Sequence, residues 1–128
     1  MKTINRIMTN ICSDNLAESR DFYTKLFDFK VDYDSDWFVH LISKEKKLEL
    51  GIIDRRNEIV PKDFQNNPQG FYVTFVVENV DEIFVTAKSE NFKVISGPTD
   101  TFYGQRRLLL KDPSGSLVDI SSPIENFV

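Results

Sequence analysis

The chain has 128 residues, 41% of them hydrophobic, with eleven Phe, one Cys and a formal net charge of −4. That length suits one compact domain with a real core, and a mean hydropathy of −0.31 reads as globular rather than disordered. The acidic balance argues against nucleic-acid binding, which needs a basic face to collect phosphates; Arg55-Arg56 and Arg106-Arg107 are too short to reverse it. A lone thiol, Cys12, excludes an internal disulfide framework and fits a reducing compartment. No stretch has the apolar length that crosses a bilayer and residues 1–10 hold no signal-type run, so no membrane partner and a cytoplasmic location are expected.

In chain order, Ile4 to Cys12 is predicted as a strand, closed by the turn formers Ser13, Asp14 and Asn15. Asn15 caps the following helix, with Glu18 three residues on completing a capping box. Leu16, Phe22, Tyr23, Leu26 and Phe27 recur near helical spacing and give that helix an apolar stripe. Phe29 to Tyr33, Trp37 to Ser43 and Lys47 to Ile53 follow as strands separated by charged turns.

The second half then repeats the first. Gly70 to Glu78 is a strand, and Asn79 with Glu82 forms a second capping box ahead of the stripe Val80, Ile83, Phe84 and Ala87. Phe92 to Ser96, Phe102 to Lys111 and Ser116 to Ser121 complete it. In Asp112-Pro113-Ser114-Gly115, proline presets one torsion and glycine tolerates a positive one, which makes a turn. The repeat predicts module one over about 1–54, a polar linker over about 55–69 and module two over about 70–128, in a single domain spanning 1–128.

Alternation along each strand assigns the two sheet faces. Ile7, Ile11, Leu48, Leu50, Phe71, Val73, Phe75, Val77, Val118 and Ile120 are expected under the helices. Met8, Asn10, Cys12, Glu49, Tyr72, Thr74, Val76 and Asp119 are then expected on the opposite, concave side. Glu49 and Asp119 each sit mid-strand in the closing strand of a module, which makes them a candidate pair. Two nearby acids raise one pKa and supply a base or a cation ligand.

These motifs together resemble a known family. Asn15-Leu16 with Ser19, Phe22-Tyr23 and Phe29 is similar to its Asp-Leu-x-x-Ser-x-x-Phe-Tyr-x-x-Leu-Gly-Phe opening. Asn79-Val80-Asp81 is similar to its Asp-Val-Asp helix start, and Asp112-Pro113-Ser114-Gly115 to its Asp-Pro-x-Gly turn. The family is the glyoxalase, bleomycin-resistance and extradiol-dioxygenase group, the vicinal oxygen chelate superfamily. Asn15 in place of aspartate and Asp28 in place of glycine depart from the opening motif at cap and turn positions. The resemblance implies an α+β fold of two βαβββ modules, forming a cupped half-barrel mixed sheet with the helices on its outer face. It also implies a homodimer, with modules paired within one chain or across chains.

Metal-dependent members place histidines on the opening strands and carboxylates on the closing ones. By the resemblance, Met8 and Tyr72 occupy the histidine positions, and Glu49 and Asp119 the carboxylate positions. Two acids without imidazoles suit a loosely hydrated hard cation rather than zinc or iron. No cofactor is therefore expected beyond, at most, a weakly held divalent cation on Glu49 and Asp119. His40 is expected away from the ligand positions, as a satisfied sheet residue, and Cys12 as a structural thiol rather than a nucleophile paired with it.

Trp37 and Phe38 in one module, and Phe102 and Tyr103 in the other, stand at corresponding strand starts. They read either as packing or as an aromatic wall for a ligand. Arg106 and Arg107 read either as an anion clamp or as a solvated strand edge. The lead expectation is metal-independent binding of a small-molecule ligand by Met8, Trp37, Tyr72, Phe102, Tyr103 and Arg106, in the manner of the bleomycin-resistance members. The alternatives are a glyoxalase-type lyase or isomerase, with Glu49 or Asp119 as catalytic base, and a non-catalytic dimeric scaffold or regulatory module.

Overall fold

A computed structural model describes residues 2–45 and 47–125. The strands and helices follow the predicted repeat: β1 (Thr9–Ser13), α1 (Leu16–Leu26), β2 (Phe29–Asp34), β3 (Phe38–Ser43), β4 (Glu49–Asp54), then β5 (Val73–Val76), α2 (Val80–Ser89), β6 (Lys93–Asp100), β7 (Gln105–Lys111) and β8 (Leu117–Pro123). The chain divides into two compact units, residues 1–67 and 68–128, and each is one βαβββ module. The first sheet has the order β1-β4-β3-β2 and the second β5-β8-β7-β6. In both, the opening strand lies parallel to the closing one and the remaining pairs are antiparallel. A parallel pair needs a long crossover, which each helix supplies. The fold is α+β, built from two unclosed mixed sheets.

Both helices start where the sequence places them. Asn15 Oδ1 accepts the Glu18 amide at 3.0 Å, and Asn79 Oδ1 accepts the Asp81 and Glu82 amides at 3.0 and 3.4 Å. The first cap is not the reciprocal box that Glu18 suggested. The Asn15 amide donates instead to Ser13 Oγ at 3.1 Å, and that hydroxyl lies 2.7 Å from the Oγ of buried Ser19. Phe22, Tyr23 and Leu26 bury the apolar face of α1, and Val80 and Ala87 that of α2. Beneath α1 the sheet contributes Val39, Leu41, Leu50 and Ile52; in the other module it contributes Leu108, Leu110, Val118 and Ile120, all buried.

Several strands begin later than predicted, and this corrects the expected core. β1 starts at Thr9, so Ile7 is 82% exposed and Ile11 alone of the two enters the core. Leu48 and Phe71 precede β4 and β5 and are exposed. All three lie outside the strands, so alternation has no sheet face to assign them to. The start of the expected linker is fastened to module one: the Arg55 amide donates to Ser13 O at 3.2 Å, Arg55 Nη1 to Gln65 O at 3.3 Å, and Gln65 Nε2 to Val60 O at 2.8 Å.

The Asp112–Gly115 turn forms as predicted, with Gly115 at φ +90°. Buried Asp112 organises it: Oδ1 accepts the Ser114 amide at 2.9 Å, the Ser114 hydroxyl at 2.7 Å and the Ser116 amide at 2.8 Å. Removing a buried acceptor strands its donors, at about 2 kcal/mol. Asp112→Ala is therefore expected to lower the urea-unfolding free energy by about 2 kcal/mol, whereas a loss below experimental error would show the turn to be held by Pro113 and Gly115 alone.

Candidate functional site

The helix-free face of each sheet carries a carboxylate, and in both modules an arginine holds it. In module one, Arg6 Nε lies 2.9 and 2.8 Å from the two oxygens of Glu49, and Arg6 Nη2 also donates to Oε1. His40 Nε2 lies 2.8 Å from the same Oε1, while its Nδ1 lies 3.0 Å from Asp32 Oδ2. Carboxylates only accept, so each contact is a hydrogen bond when that ring nitrogen carries hydrogen. Asp32 reaches His40 because it is the extra residue of a bulge: Val31 pairs with Leu41 and Tyr33 with His40. A bulge re-aims a side chain in this way. The Arg6 guanidinium, with His40 second, holds the Glu49 carboxyl down at about 2.

Module two solves the same problem differently. Asp119 is buried, and its Oδ1 accepts from Arg107 Nε at 3.0 Å and its Oδ2 from the Thr74 hydroxyl at 2.8 Å. The Arg107 guanidinium lies over the Tyr72 ring, 6.0 Å from its centroid. The bond to Asp119 raises the Arg107 pKa further above its ordinary value.

The two acids share a face but not a position. Thr9 and Val73 each lie six residues before a capping asparagine, yet Thr9 pairs with Leu50 and Val73 with Val118. Relative to the caps, Asp119 therefore corresponds to Gly51, and Glu49 to Leu117. The space a side chain at Gly51 would need is taken by its neighbours: a Cβ there would overlap Asn10 Oδ1 and meet the Phe38 ring at 3.0 Å, so the Asn10 side chain would have to move.

The remaining expected site residues fall as follows. Met8 precedes β1, with its sulfur 4.0 Å from Arg6 Nη2. Trp37 lies in the turn before β3, tilted 34° against Phe38 at 5.5 Å. Tyr72 precedes β5. Phe102 and Tyr103 stack edge-on at 5.2 Å in the turn before β7, with Phe102 92% exposed. Arg106 is already engaged, donating through Nε and Nη2 to Asp100 at 2.7 and 3.3 Å and through Nη1 to Asp81 at 2.9 Å. It lines a hollow of about 370 Å³ beside the start of α2 with Glu78, Asn79, Asp81, Ser122 and Glu125; Arg107 and Asp119 do not line it.

His40 was expected away from the ligand positions; instead it touches Glu49. The pairing of Ile42 with Glu49 and His40 with Gly51 puts both on one face, diagonal neighbours. Cys12 does not meet His40: its thiol points to the Phe64 carbonyl at 3.8 Å, and burial pushes its pKa up. The Asp32 and Arg6 contacts left no periodic signal, since one depends on a bulge and the other on a segment outside the strands.

The sequence model of the Glyoxalase/Bleomycin resistance protein/Dioxygenase superfamily matches residues 3–120. The chain belongs to this superfamily. Among solved structures, a conserved domain protein is 26% identical, with a TM-score of 0.73 over 94% of this chain and 99% of that one. A superfamily enzyme from Burkholderia phytofirmans PsJN is 20% identical (TM-score 0.77, 91% and 97% covered). Lactoylglutathione lyase from Agrobacterium tumefaciens is 18% identical (TM-score 0.71, 94% and 95% covered). The latter two likenesses speak to the fold alone. No curated protein matches the chain.

The metal found in some superfamily members meets a poor donor set here. Glu49 and Asp119 have both oxygens committed to Arg6 and His40, and to Arg107 and Thr74. Met8 and Tyr72 offer a thioether and a phenol, and among the described residues no group of three or more His, Cys, Asp or Glu is arranged to hold an ion. These residues do not fit a tightly bound divalent metal.

The depressed Glu49 value fixes a pH dependence. A carboxyl lowered on folding stabilises the fold above its unfolded value, here 4.5, and that contribution is lost as pH falls through about 2. The stability difference between the native chain and Glu49→Gln should hold steady from neutral pH down to about 5 and shrink towards pH 2. Urea unfolding across that range measures it, and a difference independent of pH would remove the Arg6–Glu49 pair from the account.

Proposed function

We propose that this chain is a metal-independent small-molecule-binding member of its superfamily, one that sequesters a ligand without transforming it. The observation that carries the reading is the neutralisation of both acids from within their own modules. A base must accept a proton near the working pH, and a carboxyl held at about 2 by a guanidinium is a weak one. The lyase or isomerase alternative needs Glu49 or Asp119 free to take a carbon-bound proton, with an electrophile to stabilise the enolate. The ligand-facing candidates are aromatic: Trp37, Tyr72, Phe102 and Tyr103, with Met8 beside Arg6. Arg106, spent on Asp81 and Asp100, leaves the ligand-binding set.

A homodimer belongs to the same reading. Exposed apolar side chains of each module, Ile4 and Ile7 in the first and Val76 and Phe102 in the second, are candidates for its buried area, since association removes such side chains from water. A cytoplasmic location agrees with a single unpaired thiol.

A thermal-shift screen of small aromatic compounds, run with EDTA and with divalent metals, tests the proposal. A ligand at a hundredfold excess over its Kd should raise Tm by about 10 °C, equally in both conditions, and Trp37→Ala should remove most of the shift of an aromatic ligand held in module one. A shift seen only with metal would favour the lyase reading, and no shift with any compound would favour the scaffold.

A further inference from the structure

Arg106 and Arg107 are neighbours on β7 with opposite fates. Successive strand residues face opposite sides, and Arg106 spends all three guanidinium nitrogens on Asp81 and Asp100. Arg107 spends one. Its Nε donates to Asp119, while Nη1 and Nη2 donate to no described residue. The side chain is 29% exposed and that of its acid partner 9%, so the positive end of the pair is the outer one. Thr74 engages the second oxygen of Asp119, so each of its oxygens has a donor from within the module. The guanidinium is therefore held in place through Nε and over the Tyr72 ring, with two coplanar N–H groups presented side by side.

Such a fork matches the two oxygens of a carboxylate. One planar fork suits a planar carboxylate, whereas a tetrahedral phosphate would want further donors, and the Thr74 hydroxyl is already given to Asp119. The Tyr72 ring lies beneath Arg107 and Tyr103 lies near it, and both side chains are half-exposed, so aromatic surface stands beside the fork. We propose that Arg107 is a ligand-recognition residue of module two, taking the carboxylate of a small aromatic acid whose ring lies against Tyr72. This names the ligand class for the small-molecule-binding function and rests on it.

Benzoate is the probe, with benzamide and benzylamine as its neutral and cationic counterparts, each titrated into the full chain by amide NMR. Benzoate should move amides of residues 72–74, 105–109 and 119–121 and bind more tightly than both counterparts. Arg107→Lys keeps a cation beside Asp119 but loses the fork, and should weaken benzoate on the order of tenfold; Arg106→Lys should leave it unchanged. Equal binding of benzamide, full affinity in a folded Arg107→Lys, or shifts elsewhere in the chain overturns the assignment of Arg107. If benzoate fails while the wider aromatic screen yields ligands, carboxylate recognition alone falls. If both fail, the small-molecule reading falls with it.

Discussion

A carboxylate on the closing strand of a four-stranded sheet must be paired, and the open face of each module is arranged around that requirement. Taking an acid out of water is costly unless a charge and hydrogen bonds replace the solvent. Module one meets this for Glu49 with Arg6 and His40, module two for Asp119 with Arg107 and Thr74. The pairing sets the chemistry that remains. An acid with both oxygens engaged by neighbours is neither a ready metal ligand nor a ready base, so the faces are left with aromatic rings and the unspent edge of one guanidinium.

The two solutions differ in where the partners stand. Arg6 precedes β1 on a segment outside the strands, and its side chain is 60% exposed. Its hold on Glu49 is gained against the conformational freedom of that segment, and exposed pairs of this kind are modest contributors to stability. Arg107 and Thr74 come from β7 and β5 within one sheet, with Thr74 paired directly opposite Asp119. Ladder hydrogen bonds fix their backbones before the side chains meet. The Asp119 pair is therefore built on regular strands and the Glu49 pair is not, and a group set on strands is the better placed for recognition of a defined ligand.

The fold was legible because it rests on signals local in sequence. Asn15 and Asn79 cap helices by side-chain geometry, Phe22, Tyr23 and Leu26 repeat at helical spacing, and Asp112 to Gly115 carries its own turn chemistry. Strand starts were less legible, since Ile7 and Leu48 look like core until the ladder that would bury them is seen to begin after them. The site was legible only as to face. Alternation placed Glu49, Thr74 and Asp119 correctly on the side away from the helices. Partners depend on register and irregularity: His40 reaches Glu49 across a hairpin, Asp32 through a bulge, and Arg6 from outside the sheet.

Register also explains how one duplicated module yields two different faces. Counted from the helix caps, Asp119 stands where module one has Gly51, and Thr74 where it has Asn10. In module two the hydroxyl bonds the acid; in module one the amide oxygen lies over a bare glycine, in the space an acid's Cβ would need. The module-one acid stands one pleat repeat earlier, about 7 Å along the strand, at the first residue of β4. There the preceding segment, rather than a neighbouring strand, supplies its arginine. Displacing the acid by two residues keeps it on the same face while changing every partner it meets. A sequence repeat of helix caps and closing acids thus preserves the module and its packing, while the chemistry of each open face follows from where along the pleat the acid is set.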